Sequence, residues 1–203
     1  MEAKTQNIDV FVVVGLWNMA IFSEEWVKSN ILDENDEYTI QYPLGVIGSL
    51  KFVLKNVAFF INGNRLAFQV RVADDVAYRE IVKYARRVCQ KLIHTPVESF
   101  GVNFVYSGTQ ELTIDGDLKS NCEAVKAVGS EVIVTDITRS FKRSDRETLN
   151  LKTRYNGDEE ILDFNFSFNV RSLNDILDLI EDDDDLIVMK HQEAKQIMEG
   201  LTK

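Results

Sequence analysis

Proline, histidine and cysteine are scarce in this 203-residue chain, which contains two of each. Few prolines, with only ten glycines, argue against long disordered linkers. The two cysteines, Cys89 and Cys122, are too few for a disulfide framework and favour a reducing compartment. Cys89 and His94 lack a second pair of ligands that would complete a tetrahedral zinc site. We expect Cys89 to be buried, His94 to lie at a helix C-terminus, and His191 to be exposed on a helix.

Long apolar runs are also missing. The longest, Val10 to Trp17, is far shorter than the roughly 20 residues that span a bilayer. The first seven residues do not combine a basic segment with an apolar one, so they do not resemble a secretory signal. These absences predict a cytoplasmic protein without membrane contacts.

Positive charge is in deficit, with 23 Lys and Arg against 33 Asp and Glu, for a formal net charge of −10. This balance disfavours non-specific binding to a phosphate backbone, where Lys and Arg supply most of the affinity. Hydrophobic residues make up 45% of the chain, which is enough for a buried core.

Recognisable chemical motifs are absent as well. No glycine-rich phosphate loop occurs, and we interpret Gly45 and Gly48 as a bend before a strand. Ser107-Gly108-Thr109 lacks the pattern of a nucleophile elbow. We therefore expect no cofactor, no catalytic residues and no metal ligands, and we predict a protein that is not an enzyme.

Two hairpin patterns stand out among what is present. Val57 to Ile61 and Arg65 to Val72 flank Asn62-Gly63, a pair that tolerates the positive φ of a tight turn. An amphipathic segment follows, capped by Asp74 or Asp75 and running to about Leu92. This order predicts a hairpin followed by a helix.

A similar order recurs later in the chain. Leu149 to Tyr155 and Ile161 to Val170 flank Asn156-Gly157, and both runs alternate apolar and polar residues. Ser172 then caps a helix, with Asp175 in a capping-box position. The repeat predicts a second hairpin–helix unit.

Further elements are predicted by composition and caps. A run that is apolar on both faces predicts a central strand over 8–16, and alternation predicts strands over 100–106 and 131–141. Ser23 is expected to cap a short helix, and apolar residues at helical spacing predict a final helix over 186–201.

These elements predict an α+β fold: a largely antiparallel sheet built from two hairpin–helix halves, with helices packed on one face and C-terminal helices. The first half covers 1–110, a junction covers 111–130, and the second half with the C-terminal helices covers 131–203. We expect the halves to form one compact unit.

The order of elements resembles a sporadically distributed family of uncharacterised bacterial proteins with two hairpin–helix halves. Phe100-Gly-Val-Asn-Phe corresponds to the family's mid-chain strand, and Leu162-Asp-Phe-Asn-Phe corresponds to its closing segment. The mid-chain strand departs from the family, because it lacks the Arg-Tyr-Asn signature. The resemblance implies the fold, and it implies no site residues.

Partner binding is the function that we expect. The polar face of the second-half sheet is predicted to be uncovered, and open sheet edges can pair with a second copy or a peptide. Trp26 is interpreted as a core residue or an aromatic interface anchor. The candidate interaction residues are Trp26, Lys152, Arg154, Asn165 and Asn169. The expected role is a self-associating interaction protein or assembly subunit of a bacterial or phage-related complex.

Two alternatives remain open. A metal-dependent hydrolase or nuclease could use dispersed acids at Asp115, Asp117 and Asp182 to Asp185. A nucleic-acid-binding protein could use the basic hairpin over 139–155, where aromatic residues accompany Arg and Lys. The interspersed acidic residues and the overall negative charge disfavour the second alternative.

Overall fold

The computed structural model describes residues 1–4, 8–42, 50–108, 135–155, 159–180 and 185–202. The α-helices within these ranges are Glu24–Asn30 (α1), Asp75–Lys91 (α2), Leu173–Ile180 (α3) and Leu186–Leu201 (α4). The strands are Glu2–Lys4 (β1), Asp9–Gly15 (β2), Thr39–Gln41 (β3), Lys51–Val53 (β4), Val57–Asn62 (β5), Arg65–Val70 (β6), Val97–Gly108 (β7), Thr135–Lys142 (β8), Glu147–Tyr155 (β9) and Glu160–Phe168 (β10).

All ten described strands belong to one sheet with the order β3-β4-β5-β6-β2-β7-β10-β9-β8, and β1 pairs with β7 alongside this path. Every pairing is antiparallel. The predicted α+β class is therefore confirmed. The prediction of a central strand over 8–16 is also confirmed, since β2 lies between β6 and β7.

The first hairpin forms as predicted, but its turn works differently. Asn62 pairs with Arg65, so the two turn residues are Gly63 and Asn64. Gly63 does not adopt the positive φ that we expected. Instead, the Oδ1 atom of Asn62 accepts hydrogen bonds from the backbone N–H groups of Asn64 (3.2 Å) and Arg65 (2.9 Å). The asparagine side chain therefore shapes the turn.

The second hairpin pairs β9 with β10, and Tyr155 lies opposite Glu160. Its predicted turn residues, Asn156 and Gly157, lie outside the described residues, as do Gly45, Gly48 and the whole predicted junction over 111–130. Helices α2 and α3 follow the two hairpins, so both hairpin–helix units are confirmed.

The predicted caps explain where these helices begin. The Asp74 carboxylate accepts from Ala77 N at 2.8 Å, and the Ser23 hydroxyl accepts from Trp26 N at 3.3 Å. Ser172 and Asp175 form the reciprocal capping box, in which Asp175 N donates to Ser172 Oγ and Ser172 N donates to Asp175 Oδ2. Each cap satisfies N–H groups that the first helical turn leaves unpaired.

The core lies between the sheet and the helices. Aromatic side chains from neighbouring strands meet there, with the Phe59 ring stacked on Phe52 and Phe68 at 5.2 Å between ring centroids. The apolar stripe of α2 is buried against this layer and includes Cys89, whose thiol pKa is raised to about 12 by burial. Trp17 and Phe22 are buried core residues as well. None of the described helices has the length and apolar character required to cross a bilayer.

Candidate functional site: the open face of the sheet

Helices pack on only one side of the described sheet. Lys190 of α4 lies over the rings of Phe166 and Phe168, which marks the helix-covered face of β10. Side chains alternate along a strand, so Asn165 and Ser167 point to the opposite side. We call that opposite side the open face. Its described polar residues include Asp9, Lys51, Arg65, Gln69, Asn103, Asp136, Thr138, Ser140, Lys142, Thr148, Asn150, Lys152, Arg154, Asp163, Asn165 and Ser167.

A continuous row of hydrogen bonds crosses the open face in its second half. The Ser140 hydroxyl donates to Asn150 Oδ1 at 2.7 Å, and Asn150 Nδ2 donates to Asn165 Oδ1 at 2.9 Å. Asn165 Nδ2 donates to Asn103 Oδ1 at 2.6 Å, and Asn103 Nδ2 donates to the backbone carbonyl of Asp9 at 2.7 Å. The strand registers make this row possible, because they place Ser140, Asn150, Asn165 and Asn103 directly side by side.

The row continues into the first half of the sheet. Lys51 Nζ donates to Gln69 Oε1 at 2.5 Å, and Gln69 Nε2 donates to Asp9 Oδ1 at 2.6 Å. Arg65 Nη1 lies 3.0 Å from the other Asp9 carboxylate oxygen. We call the seven residues the polar row: Lys51, Gln69, Asp9, Asn103, Asn165, Asn150 and Ser140. Donation runs towards Asp9 from both ends, and aligned bonds of this kind strengthen one another.

Beside the polar row, a charged cluster lies near the β8 edge. Lys152 Nζ and Arg154 Nε lie 2.7 Å and 3.0 Å from the two Asp136 carboxylate oxygens. The hydrogen bond from Lys152, and then that from Arg154, holds the pKa of Asp136 below its usual range. Burial raises the pKa of Asp163, against the opposing effect of the Lys152 and Arg154 charges. The open face therefore carries both signs of charge at close range.

The structure brings most of the sequence-predicted interaction residues together. Lys152, Arg154 and Asn165 lie on the open face, in neighbouring strands. Asn169 is exposed just beyond the end of β10, where its N–H donates to the Arg146 carbonyl at 2.8 Å. Trp26 is separate from this group. It is half-buried in α1 and packs on Phe22, with 5.0 Å between the ring centroids.

Sequence reasoning missed the first-half members of the polar row: Lys51, Gln69, Asp9 and Asn103. A signal for Asn103 was present, because it alternates with Phe100, Val102 and Phe104 as Asn165 alternates with its phenylalanines. Because Gln69 alternates with Phe68 and Val70, the strand pattern predicts a solvent-facing side chain, yet Gln69 is 9% exposed. Burial of Gln69 follows from its hydrogen bonds to side chains on two other strands, which a single-strand pattern does not contain.

Most of the basic side chains in the hairpin over 139–155 form ion pairs with acidic side chains. Besides the pairs with Asp136, Lys142 Nζ lies 2.7 Å from Asp145 Oδ1. Arg143 pairs with Glu193, and its Nε atom lies 3.7 Å from Glu147. These contacts leave less free positive charge for a phosphate backbone than the sequence cluster indicates.

The expectation that His191 is exposed is wrong. His191 is 4% exposed and lies among Tyr78, Phe104 and Tyr106, with ring centroids 4.9 to 6.2 Å away. Burial lowers its pKa to about 4, and the nearby Lys195 charge acts in the same direction. Neither His191 Nε2 nor the Tyr106 hydroxyl has a hydrogen-bond partner among the described residues. A cavity of about 10 Å³ touches both side chains, which is room for one water molecule.

Other predicted features contribute less to a site. His94 lies three residues beyond the end of α2 and is exposed. Asp185 is ion-paired with Arg79, Oδ1 to Nε at 2.6 Å. The remaining candidate acids, Asp115, Asp117 and 182–184, lie outside the described residues. In the described part of the chain, no three His, Cys, Asp or Glu side chains are grouped as metal ligands.

The fold and this face define an α+β protein with an open-faced antiparallel sheet. No protein-family model matches the chain, and no curated protein sequence is significantly similar to it.

Proposed function

We propose that this chain is a non-enzymatic interaction protein or assembly subunit that docks a protein partner through the open face and edges of its sheet. The bacterial or phage-related setting of that assembly comes from the resemblance in the order of elements. The polar row is the observation that carries the proposal. It spans most of the width of the sheet and holds its amide groups in fixed positions before any partner arrives.

Fixed polar groups favour recognition, because little side-chain entropy remains to be lost on binding. Several amides in the row are half-buried and keep further lone pairs or N–H groups that the row does not use. A partner that supplies matching donors and acceptors would be recognised, and one that leaves them unpaired would be penalised.

The charge pattern favours a protein over a nucleic acid. Positive and negative side chains are mixed on the open face: Lys152 and Arg154 are held by Asp136, and Lys142 is held by Asp145. A phosphate backbone needs unopposed positive charge. Mixed charge suits a protein surface of mixed charge, where complementarity fixes orientation and partner choice.

Site-specific photocrosslinking in cells tests the proposal. A photoreactive amino acid would replace Thr148 or Ser167 on the open face, and Gln192 or Gln196 on the exposed surface of α4 as matched controls. We expect discrete protein adducts from the open-face positions and few from the controls. Adducts from α4 alone, or adducts with nucleic acid from Thr148 and Ser167, would contradict the proposal.

A further inference from the structure

Strand β8 is the last strand of the described part of the sheet and presents an outer edge. It is eight residues long, and no other described strand pairs with the side that faces away from β9. The opposite edge strand, β3, has only three residues. A long edge whose backbone groups bond to no other described strand is a template for pairing with another strand.

The hydrogen-bond pattern shows which β8 residues face outward. Arg143 N donates to the Glu147 carbonyl at 2.9 Å, and these residues follow Lys142 and Thr148 in the same register. In an antiparallel ladder, successive residues direct their backbone groups to alternate sides. The odd-numbered residues of β8 therefore bond to β9. The outward N–H and C=O groups belong to the even-numbered residues: Asp136, Thr138, Ser140 and Lys142.

These four residues are complementary to the same four residues of a second copy that runs antiparallel to the first. If a twofold axis passes through Arg139, Asp136 lies opposite Lys142 of the second copy, and Thr138 lies opposite Ser140. The helix-covered side of the same pairing brings Ile137 opposite Phe141, which is 46% exposed in one chain. Opposite charges, two hydroxyl side chains and two apolar side chains are each favourable cross-strand pairs.

Neighbouring registers match less well. Centring on Thr138 places Asp136 opposite Ser140 and Ile137 opposite Arg139. Centring on Ser140 places Thr138 opposite Lys142 and Ile137 opposite Arg143. Each shift loses the charge pair and exposes or mismatches the apolar residues, so the register at Arg139 is favoured.

We propose that the occupant of this edge is β8 of a second copy of the chain, paired antiparallel with Arg139 at the twofold axis. This inference rests on the proposed use of the sheet for docking, and it names one partner and its register. The two sheets join into one, and the two open faces become one continuous surface. The charged cluster then gains Lys142 of the second copy beside Asp136. One pair in this register is unfavourable, since Arg139 meets its own copy.

Cysteine crosslinking tests the register. In a Cys122→Ser background, Arg139→Cys places the thiols of the two copies directly opposite each other. Position 139 forms a non-hydrogen-bonded pair of the β8–β8 ladder, in which the two Cα atoms are about 4.5 Å apart, so a disulfide fits. Thr138→Cys is the matched control. Its nearest copy lies diagonally, at about 7 Å or more, which a disulfide spans poorly.

We expect mild oxidation to convert most of the Arg139→Cys protein to a covalent dimer, with about tenfold less from Thr138→Cys. Equal or greater crosslinking of Thr138→Cys would overturn the register. Failure of both variants to crosslink, with both folded by circular dichroism, would overturn the β8 pairing.

Charge reversal supplies an independent test. Lys142→Asp should weaken the dimer about tenfold, because two like-charge pairs replace two opposite ones. Asp136→Lys should weaken it similarly. Mixing the two variants places the two acidic side chains of one chain, at positions 136 and 142, opposite two lysines of the other, so the mixture should form heterodimers. Homodimers of undiminished affinity, or a mixture that does not associate, would overturn the proposal.

The two proposals fail in different ways. Open-face photocrosslinks to a different protein, with no β8 disulfide, would overturn the second-copy inference and leave the docking function intact. A β8 disulfide dimer with no adducts from Thr148 or Ser167 would support the edge pairing and contradict docking on the face.

Discussion

At the scale of single residues, His191 is the buried group with the clearest consequence. Its pKa is about 4 in the folded chain and 6.5 in the absence of the fold, because burial and the Lys195 charge disfavour the protonated ring while Asp75 opposes them weakly. The unfolded chain therefore takes up the proton at the higher pH. The contribution of neutral His191 to stability is complete above about pH 6.5 and is lost as the pH falls towards 4.

We expect the free energy of unfolding to fall by about 3 kcal/mol from this group between pH 7 and pH 4. Urea titrations across that range, read by fluorescence, measure the change. His191→Phe removes the titration and should flatten this part of the profile, whereas His94→Gln, at an exposed position, should not. An unchanged profile in His191→Phe would show that the histidine is not buried in its neutral form.

Position 15 requires glycine because the backbone at Pro96 approaches it closely. A Cβ atom at this position would lie 2.4 Å from the Pro96 carbonyl oxygen. Gly15→Ala should therefore destabilise the protein by about 2 kcal/mol or more, because backbone must move to make room. Gly200 in α4 is the matched control, since a Cβ atom added there would meet no described atom within 4 Å. Gly200→Ala should be neutral or stabilising by up to about 1 kcal/mol. Thermal melts compare the two.

Asn165 is the central link of the polar row. Asn165→Ala removes the acceptor for Asn150 and the donor to Asn103, and it should cost about 1–2 kcal/mol of stability. Ser167→Ala, on the same strand and face but outside the row, should change stability by less than about 0.5 kcal/mol. Equal effects in chemical denaturation would mean that the row contributes no more than an ordinary surface position.

At the scale of elements, the first hairpin depends on one side chain. Asn62→Ala removes the acceptor of two turn N–H groups and should destabilise the protein by about 1 kcal/mol. Asn64→Ala is the control, because its side chain makes no hydrogen bond with a described residue. Hydrogen exchange should show faster exchange at the Arg65 amide in Asn62→Ala only. Equal protection in both variants would contradict the Asn62 turn.

Elements were predictable where local chemistry decides them. Alternation located β6, β7 and β10, and the caps at Ser23, Asp74 and Ser172 located three helix starts. The burial of His191 was also readable from the pattern, since it lies four residues after Ile187 and three before Ala194 on the buried stripe of α4. Exposure was nevertheless expected because histidine is polar. The aromatic rings that surround His191 come from α2 and β7, so the pattern of α4 alone does not reveal them.

At the scale of the whole molecule, the strand order joins the two halves. Strand β7 pairs with β2 on one side and β10 on the other, so Asn103 and Asn165 become neighbours across the centre of the sheet. The polar residues of the second half could be predicted from alternation alone. Their connection to Asp9 and Gln69 could not, because it depends on pairings between residues far apart in sequence.

The charge of the described open face differs from that of the chain as a whole. The chain carries a net charge of −10, yet the described open face combines acidic and basic side chains in contact with each other. We propose that this region of balanced charge is where a protein partner docks, because mixed charges favour a partner of complementary pattern.

The most direct measurement is light scattering coupled to size exclusion, at two protein concentrations and two salt concentrations, with the ratio of absorbance at nucleic-acid and protein wavelengths recorded. We predict a dimer with the absorbance of pure protein, whose dissociation increases with salt because charge pairs contribute at the β8 edge. A single-chain mass under every condition would contradict the pairing at β8, and bound nucleic acid would contradict docking of a protein partner.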